Sequence, residues 1–220
     1  VLAQNALWLG IAPAWRDFRG RREELVMFYG PQAMDISRVL GAGLGKAEAL
    51  DMRTFRYAVG RAIRRCREYD IETVGLDGAS LARVAARLGV SLADLVREAV
   101  LSAFLGLYRY DRWKSGKEEH ADPRWLAVML EDEFLEDAVR RAARTAEAEA
   151  CGIRIARDAA NDPANVMTPS AFAEKAQSVA TAHGMKIRVL GEEELKAENM
   201  NAYLAVARGS SEAPRMVVME

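Results

Sequence analysis

The 220-residue sequence has few of the residues on which many catalytic and metal sites depend. It contains two cysteines, Cys66 and Cys151, and two histidines, His120 and His183. Two isolated thiols cannot form a disulfide framework, so they favour reduced cysteines in a cytoplasmic protein. Neither cysteine has a histidine nearby in the sequence, and a thiol nucleophile therefore has little support.

Metal-binding patterns are equally scarce. Neither histidine has a carboxylate at the spacing of a motif such as HExxH. His183, before Gly184, indicates the C-terminus of a helix, and His120 lies in a polar stretch. The three glutamates of 192–194 could attract a cation, but a solvated acidic helix start is the favoured interpretation. No Ser-His-Asp or Cys-His arrangement can be assembled.

Long apolar runs and a strong net charge are also missing. No run of about 18 apolar residues exists, so no membrane span is expected. The N-terminus has no basic segment leading into an apolar one, so no signal peptide is expected. A formal net charge of -1 excludes a global field that attracts nucleic acid or membranes. These absences favour a cytoplasmic protein of ordinary globular composition.

Short β-prone segments alternate with helical ones along the whole chain, which predicts the α/β class. The predicted strands are 25–29, 73–77, 124–130, 186–190, 203–207 and 215–219, and 37–46 is predicted as a strand that runs into a glycine-rich turn. The predicted helices are 52–69, 80–88, 91–105, 132–160, 169–183 and 192–199. The predicted N-cap residues of three of these helices are Ser80, Ser91 and Thr168. Asp94 is predicted to complete a capping box with Ser91.

The predicted helix 132–160 decides the domain organisation. A helix of about 28 residues is about 42 Å long, which is more than most single domains need. We therefore expect a domain boundary within it. The chain begins without methionine, and its last predicted strand runs to Glu220. Both observations predict a piece of a longer protein, because a strand normally needs neighbours that close the sheet.

A glycine-rich segment, 41–46, follows the second predicted strand and could suggest a phosphate loop. Counted from its first glycine, a Rossmann fingerprint needs a third glycine where Lys46 stands. A P-loop needs glycine at the position of Leu40 and Ser or Thr at that of Ala47. Both motifs fail, so a tight turn is favoured.

Two basic segments could contact partners. Arg61, Arg64, Arg65 and Arg67 lie on one predicted helix, but acidic residues follow at once and aromatic residues are sparse. A solvated helix face is therefore favoured over a nucleic-acid site. The segment 108–114, YRYDRWK, has the residue types of an interaction hot spot, and a helix end that packs on a neighbouring loop is equally consistent.

The segment 157–169 is the most informative part of the chain. It reads RDAANDPANVMTP and closely resembles the R-D-x-x-N-x-P-x-N-x-x-T-P start of the catalytic domain in leucyl (cytosol) aminopeptidases. The segment 38–46, RVLGAGLGK, resembles that family's RVLLVGLGK strand and turn, and 108–114 resembles its YRFDRYK segment. Gly209-Ser210 after the predicted strand 203–207 is similar to its AVxxGS strand. Motifs in the right order make chance similarity a poor explanation.

The resemblance implies an N-terminal α/β domain over 1–147, with a mixed sheet flanked by helices. The linking helix end and the incomplete start of the catalytic domain would occupy 148–220. Such enzymes are hydrolases that remove N-terminal residues from peptides. They use two divalent metal ions, Mn or Zn, to activate a water, and assemble as hexamers.

The resemblance assigns no catalytic, cofactor-binding or metal-binding residue to this chain. The family's Gly-Lys-Gly and Asn-Thr-Asp-Ala-Glu-Gly motifs are absent, which implies that both metals bind beyond Glu220. Residues carried over only as a structural junction are Arg157, Asn161, Pro163, Asn165, Thr168 and Pro169. The chain alone is expected to be inactive and to serve folding and assembly.

The alternative is a stand-alone binding or assembly module without catalysis. It would contact protein through 108–114 or nucleic acid through the arginines of 61–67, and nucleic acid is the less expected partner.

Overall fold

The computed structural model describes residues 18–29, 38–116, 120–130 and 133–220. Its contacts divide the chain into two compact units, Val1–Arg154 and Ile155–Glu220. Helices and strands alternate in both units, which confirms the α/β class. The domain boundary between residues 147 and 148 stays a prediction.

The first unit contains everything before the long helix α4 (Glu136–Asn161), together with most of α4 itself. Its elements are β1 (Leu25–Tyr29), β2 (Arg38–Ala42), α1 (Met52–Glu68), β3 (Thr73–Asp77), α2 (Gly78–Leu88), α3 (Leu92–Leu107), β4 (Trp125–Met129) and the start of α4 (Glu136–Asn161). Short 3-10 turns at Ala47–Ala49 and Glu133–Leu135 precede α1 and α4.

The second unit begins within α4 and contains a small antiparallel sheet with three helices. Its elements are α5 (Pro169–His183), β5 (Ile187–Leu190), α6 (Glu192–Ala197), α7 (Asn201–Ala207) and β6 (Met216–Met219). No helix in the described ranges has the length and apolarity needed to cross a bilayer.

The strands of the described residues form pairs. β1 and β2 are antiparallel, with Met27 opposite Leu40. β3 and β4 are parallel, with Gly75 opposite Ala127, and the chain between them contains α2 and α3, because parallel strands need a crossover connection. β5 and β6 are antiparallel.

The main core lies among α1, α2, α3 and the first turns of α4. The predicted apolar stripe of α1 is confirmed, since Phe55, Ala58, Ile63 and Cys66 are buried. α3 contributes the most deeply buried side chains, and the core members of these helices are Phe55, Leu81, Val84, Ala85, Leu95, Val96, Ala99, Val100, Val139 and Ala146. The spacing of three and four residues between them places one face of each helix inward.

Two predicted helix starts differ in detail from the structure. Asp77 rather than Ser80 caps α2, because its carboxylate accepts the Ser80 N–H at 3.1 Å and the helix already begins at Gly78. Ser91 caps α3 as predicted and accepts the Asp94 N–H at 3.0 Å. The predicted capping box is wrong: the Asp94 carboxylate accepts the Ser91 hydroxyl at 2.7 Å instead of the Ser91 backbone N–H.

The predicted strand 203–207 is wrong, because these residues belong to helix α7. The Leu204 N–H donates to the Met200 carbonyl and the Arg208 N–H to the Leu204 carbonyl, both at 3.1 Å. Three alanines in Asn201–Ala207 favour a helix, and their propensity outweighs the β-preference of Tyr203 and Val206.

Two glycines allow α1 and α3 to approach closely. A Cβ added at Gly106 on α3 would lie 2.7 Å from the Gly60 carbonyl oxygen and 2.8 Å from the Gly60 Cα. A Cβ added at Gly60 would meet its nearest neighbour, the Ser102 carbonyl oxygen, at 3.5 Å, which is ordinary contact. The crossing therefore requires glycine at 106 but tolerates a methyl group at 60.

We predict that Gly106→Ala lowers the free energy of unfolding by about 1–3 kcal/mol, because backbone atoms must move apart. The matched variant Gly60→Ala should leave that free energy unchanged or raise it by up to about 1 kcal/mol, since alanine is the better helix former. Urea unfolding followed by circular dichroism measures both. Equal losses in the two variants would contradict the proposed close crossing.

Candidate functional site

The segment between α4 and α5, which carries the sharpest sequence motif, forms a tight turn. The Asp162 N–H still donates to the Asp158 carbonyl at 3.1 Å, so Asp162 continues the last turn of α4. The Pro163 carbonyl then accepts the N–H groups of Val166 at 2.8 Å and Met167 at 2.9 Å. Proline has no N–H, so it fits directly after a helix end without leaving a donor unpaired.

α5 begins as its sequence predicts. The Thr168 hydroxyl accepts the Ala171 N–H at 3.2 Å, and Pro169 occupies the first helical position. The Phe172 N–H donates to the Thr168 carbonyl at 2.9 Å. The predicted glycine stop is confirmed as well, since Gly184 ends α5 in the left-handed conformation with φ 66°.

We predict that Thr168→Ala lowers the free energy of unfolding by about 1 kcal/mol, because the Ala171 N–H loses its cap acceptor. Thr168→Ser keeps the hydroxyl and should stay within a few tenths of a kcal/mol of the original protein. Thermal or urea unfolding measures the difference. A serine variant as unstable as the alanine variant would show that the hydroxyl is not the stabilising group.

The glycine segment is a structural turn and not a phosphate loop. The Gly43 N–H donates to the Glu24 carbonyl at 2.8 Å, and the Gly45 N–H to the Gly20 carbonyl at 2.9 Å. A Cβ at Gly43 would lie 2.0 Å from the Arg21 carbonyl oxygen, so only glycine permits this approach. These N–H groups already have acceptors and cannot also surround a phosphate, which agrees with the failed motifs.

The arginines of 61–67 turn toward separate partners. Arg61 donates to the Glu23 carbonyl at 2.7 Å, and Arg65 pairs with Glu68 at 2.7 Å. Arg67 departs from the predicted solvated face, because it is only 7% exposed. Side chains held in this way do not form one continuous phosphate-binding surface.

Arg67 and the segment 108–114 meet at one aspartate. The Asp122 carboxylate lies 3.5 Å from the Arg67 guanidinium and 3.4 Å from that of Arg109. Within the segment, the Lys114 ammonium lies 2.8 Å from the Asp111 carboxylate, and this hydrogen bond lowers the pKa of Asp111. An aspartate in a polar loop gives no sequence signal, so the sequence alone does not point to Asp122.

The aromatic part of this segment stays accessible. The Trp113 indole N–H donates to the Tyr110 hydroxyl at 2.9 Å, and the Arg112 guanidinium lies 5.0 Å from the Trp113 ring centroid. Trp113 is nevertheless 55% exposed. The segment therefore combines a charged contact with a neighbouring loop and an exposed aromatic side chain, so features of both interpretations are present.

The histidines and the acidic triplet make ordinary local contacts. His120 Nδ1 lies 3.2 Å from the Asp70 carboxylate, and His183 is the last residue of α5. The Glu194 carboxylate accepts the Gly191 N–H at 2.9 Å, and Lys196 lies 3.0 Å from a carboxylate oxygen of Glu192 and one of Glu193. This geometry agrees with the favoured interpretation of an acidic helix start.

The described residues do not offer a metal site. Within the described ranges, no group of three or more His, Cys, Asp and Glu side chains lies close enough to hold a metal ion. Metal centres in proteins need several such donors that converge on one point.

The two free cysteines differ sharply in environment. Cys66 is 5% exposed within the core, and burial raises its pKa to about 11. Cys151 is exposed on α4. Because the thiolate is the reactive form, Cys66 is poorly suited to act as a nucleophile.

We predict that a thiol reagent such as 5,5′-dithiobis(2-nitrobenzoate) modifies Cys151 rapidly at about pH 8 and Cys66 only on unfolding. Cys151→Ser should remove the fast phase, and Cys66→Ala should leave it intact. The released thionitrobenzoate is followed by absorbance. A fast phase that survives Cys151→Ser in the folded protein would contradict the burial of Cys66.

Comparison with known families identifies the class of protein. The sequence model described as cytosol aminopeptidase family, N-terminal domain, matches residues 6–117, and that of the family's catalytic domain matches 154–220. The first match alone covers half of the chain. The chain therefore belongs to the cytosol aminopeptidase family, which confirms the resemblance found in its motifs.

Curated relatives agree along the whole chain. A probable cytosol aminopeptidase of Nitratidesulfovibrio vulgaris is 42% identical over 221 residues, which are 100% of this chain and 43% of that protein. A probable cytosol aminopeptidase of Desulfovibrio desulfuricans is 39% identical over 98% of this chain and 42% of its own length. The chain thus spans less than half the length of these relatives.

Solved structures show the same fold. The bottromycin maturation enzyme BotP in complex with Mn superposes with a TM-score of 0.75 at 31% identity, over 96% of this chain and 42% of that one. A tomato leucine aminopeptidase mutant gives a TM-score of 0.73 at 21% identity, over 94% of this chain and 39% of that one, and shows similarity of fold alone.

Proposed function

We propose that this chain is the N-terminal part of a metal-dependent leucyl aminopeptidase, a hydrolase that removes N-terminal residues from peptides. The observation that carries the proposal is the order of the two family matches, first 6–117 and then 154–220. The turn at Pro163 and the cap at Thr168 support it, because the most specific motif coincides with a well-formed helix junction.

We propose that residues 1–147 form the N-terminal domain and that 148–220 contain the linking helix end and the first part of the catalytic domain. The role of both in this chain is folding and assembly. We assign no catalytic, cofactor-binding or metal-binding residue to it and expect those residues beyond Glu220. The absent Gly-Lys-Gly and Asn-Thr-Asp-Ala-Glu-Gly motifs support this assignment.

Two divalent ions, Mn or Zn, are proposed for the complete enzyme. A structure that is 31% identical to this chain contains Mn, which supports that metal, whereas Zn rests on the family resemblance. When bound, such ions would lower the pKa of a coordinated water and polarise the peptide carbonyl. Peptide substrates and a cytoplasmic location belong to the same proposal, supported by relatives that are named cytosol aminopeptidases. A hexameric assembly is proposed from the family resemblance alone.

The alternative function, a binding or assembly module without catalysis, draws on one observation. Trp113 is 55% exposed beside Arg112, and both residue types are common in protein interfaces. A nucleic-acid version is disfavoured, because Arg61, Arg65 and Arg67 already have partners within the chain.

We predict that the 220-residue chain has no aminopeptidase activity on leucine p-nitroanilide with Mn or Zn, because its described residues form no metal site. A fusion in which the remaining catalytic segment of the Nitratidesulfovibrio vulgaris relative follows Glu220 should be active with Mn and lose activity on chelation. Absorbance of the released nitroaniline measures both.

The intact relative serves as the positive control for this fusion. An inactive, folded fusion beside an active relative would contradict a role for this chain as the N-terminal part of such an enzyme. Metal-dependent activity of the 220-residue chain alone would contradict the placement of the catalytic residues beyond Glu220.

A further inference from the structure

An open cavity in the first unit is lined by basic side chains. Its volume is about 520 Å³, and it is widely open to solvent. Arg19, Arg21, Arg22 and Lys46 line it, and the other lining residues in the described part of the chain are uncharged. A site with four cations and no carboxylate among its described lining residues favours an anion.

The backbone that carries these cations is held in place by specific hydrogen bonds. The Glu24 carboxylate accepts the Arg21 N–H at 2.7 Å and the Arg19 N–H at 3.2 Å. The N–H groups of Gly43 and Gly45 tie the same loop, residues 19–24, to the glycine segment. The close approach at Gly43, described above, leaves no room for a side chain between the two. The backbone that carries the three arginines and Lys46 is therefore held in place around one cavity.

The four cations have no ion-pair partner among the described residues, and all four are exposed. Two carboxylates attract these arginines electrostatically, Glu24 toward Arg21 and Arg19 and Asp51 toward Arg22, and both also accept backbone hydrogen bonds. Glu24 accepts the two N–H groups of its own loop, and Asp51 accepts the Thr54 N–H at 2.7 Å. Hydrogen bonding by Thr54 is the main cause of the lowered pKa of Asp51, and Arg22 contributes less. Like charges around one cavity repel each other, and a bound anion relieves that repulsion.

We propose that this cavity is a binding site for a small anion that carries several phosphate groups, as in an inorganic oligophosphate or the triphosphate of a nucleotide. The planar guanidinium group donates two parallel hydrogen bonds to phosphate oxygens, and three such groups line the cavity together with one ammonium. A single monovalent anion would leave most of this charge without a partner. The site is separate from peptide hydrolysis and does not depend on the proposed function.

Isothermal titration calorimetry of the 220-residue chain with inorganic tripolyphosphate at low ionic strength tests the site. We expect one ion bound per chain, with an affinity that falls as salt is added. Arg19→Gln with Arg21→Gln should weaken the Kd by about tenfold or more, which corresponds to ~1.4 kcal/mol. The glutamines leave in place the backbone N–H groups that hold Glu24.

A matched pair, Arg141→Gln with Arg144→Gln, removes the same charge from exposed positions on α4 and should leave the Kd unchanged. Thermal unfolding without ligand confirms that each variant is folded. If the variant with Arg19→Gln and Arg21→Gln does not fold, Lys46→Gln repeats the test from the other side of the cavity. Tighter binding of ATP than of tripolyphosphate would identify a nucleotide as the ligand, whereas equal binding would identify the phosphate chain alone.

Several results would overturn the proposal. The first is that neither tripolyphosphate nor ATP binds detectably. The second is that the Arg19→Gln, Arg21→Gln variant and the matched Arg141→Gln, Arg144→Gln variant weaken the Kd equally. The third is that the folded cavity variants bind as tightly as the original chain. A further result would be that duplex DNA binds more tightly than tripolyphosphate and that both variant pairs weaken DNA binding equally. That result would indicate general attraction by surface charge instead of a small-anion site.

Discussion

The packing of α1 against α3 is the contact on which the first unit depends. Gly60 and Gly106 bring the two backbones together, and the side chains of Phe55, Leu95 and Val96 fill the core beside them. Once α1 is held there, its N-terminal end contributes Thr54 to the wall of the basic cavity. Its C-terminal end brings Arg67 to the loop aspartate at 122. One helix crossing thus positions the main charged features of this unit.

Patterns in the sequence predict the elements that depend on interactions between residues close together in the chain. The apolar spacing of α1, the Thr168 cap and the Gly184 stop depend on residues within a few positions of one another, and all three are confirmed. The strand predicted at 203–207 failed where β-prone side chains alternate with alanine, so that two propensities competed within one short segment. The motif at 157–169 identified the family because its residues are contiguous.

Contacts between segments that are far apart in the sequence could not be predicted from such local patterns. The burial of Arg67 depends on Asp122, which lies in a separate loop. The basic cavity requires residues 19–24 to meet residues 43–46, and neither segment has a binding pattern by itself. The failed phosphate-loop motifs agree with the hydrogen bonds that the Gly43 and Gly45 N–H groups make within the chain. They carried no information on the side chains that a neighbouring loop places beside Lys46.

The parallel pairing of β3 with β4 also has a kinetic consequence. Thr73 pairs with Trp125, and the chain between them contains α2 and α3. The ends of this long loop must come together before the first hydrogen bonds between the strands can form. The helices need only contacts close in sequence, whereas the strand pair must first overcome the entropy of closing a long loop. Refolding of this unit should therefore proceed from early helices to a late strand pair. The rate of that last step should respond more to changes in β4 than to changes in the helix caps.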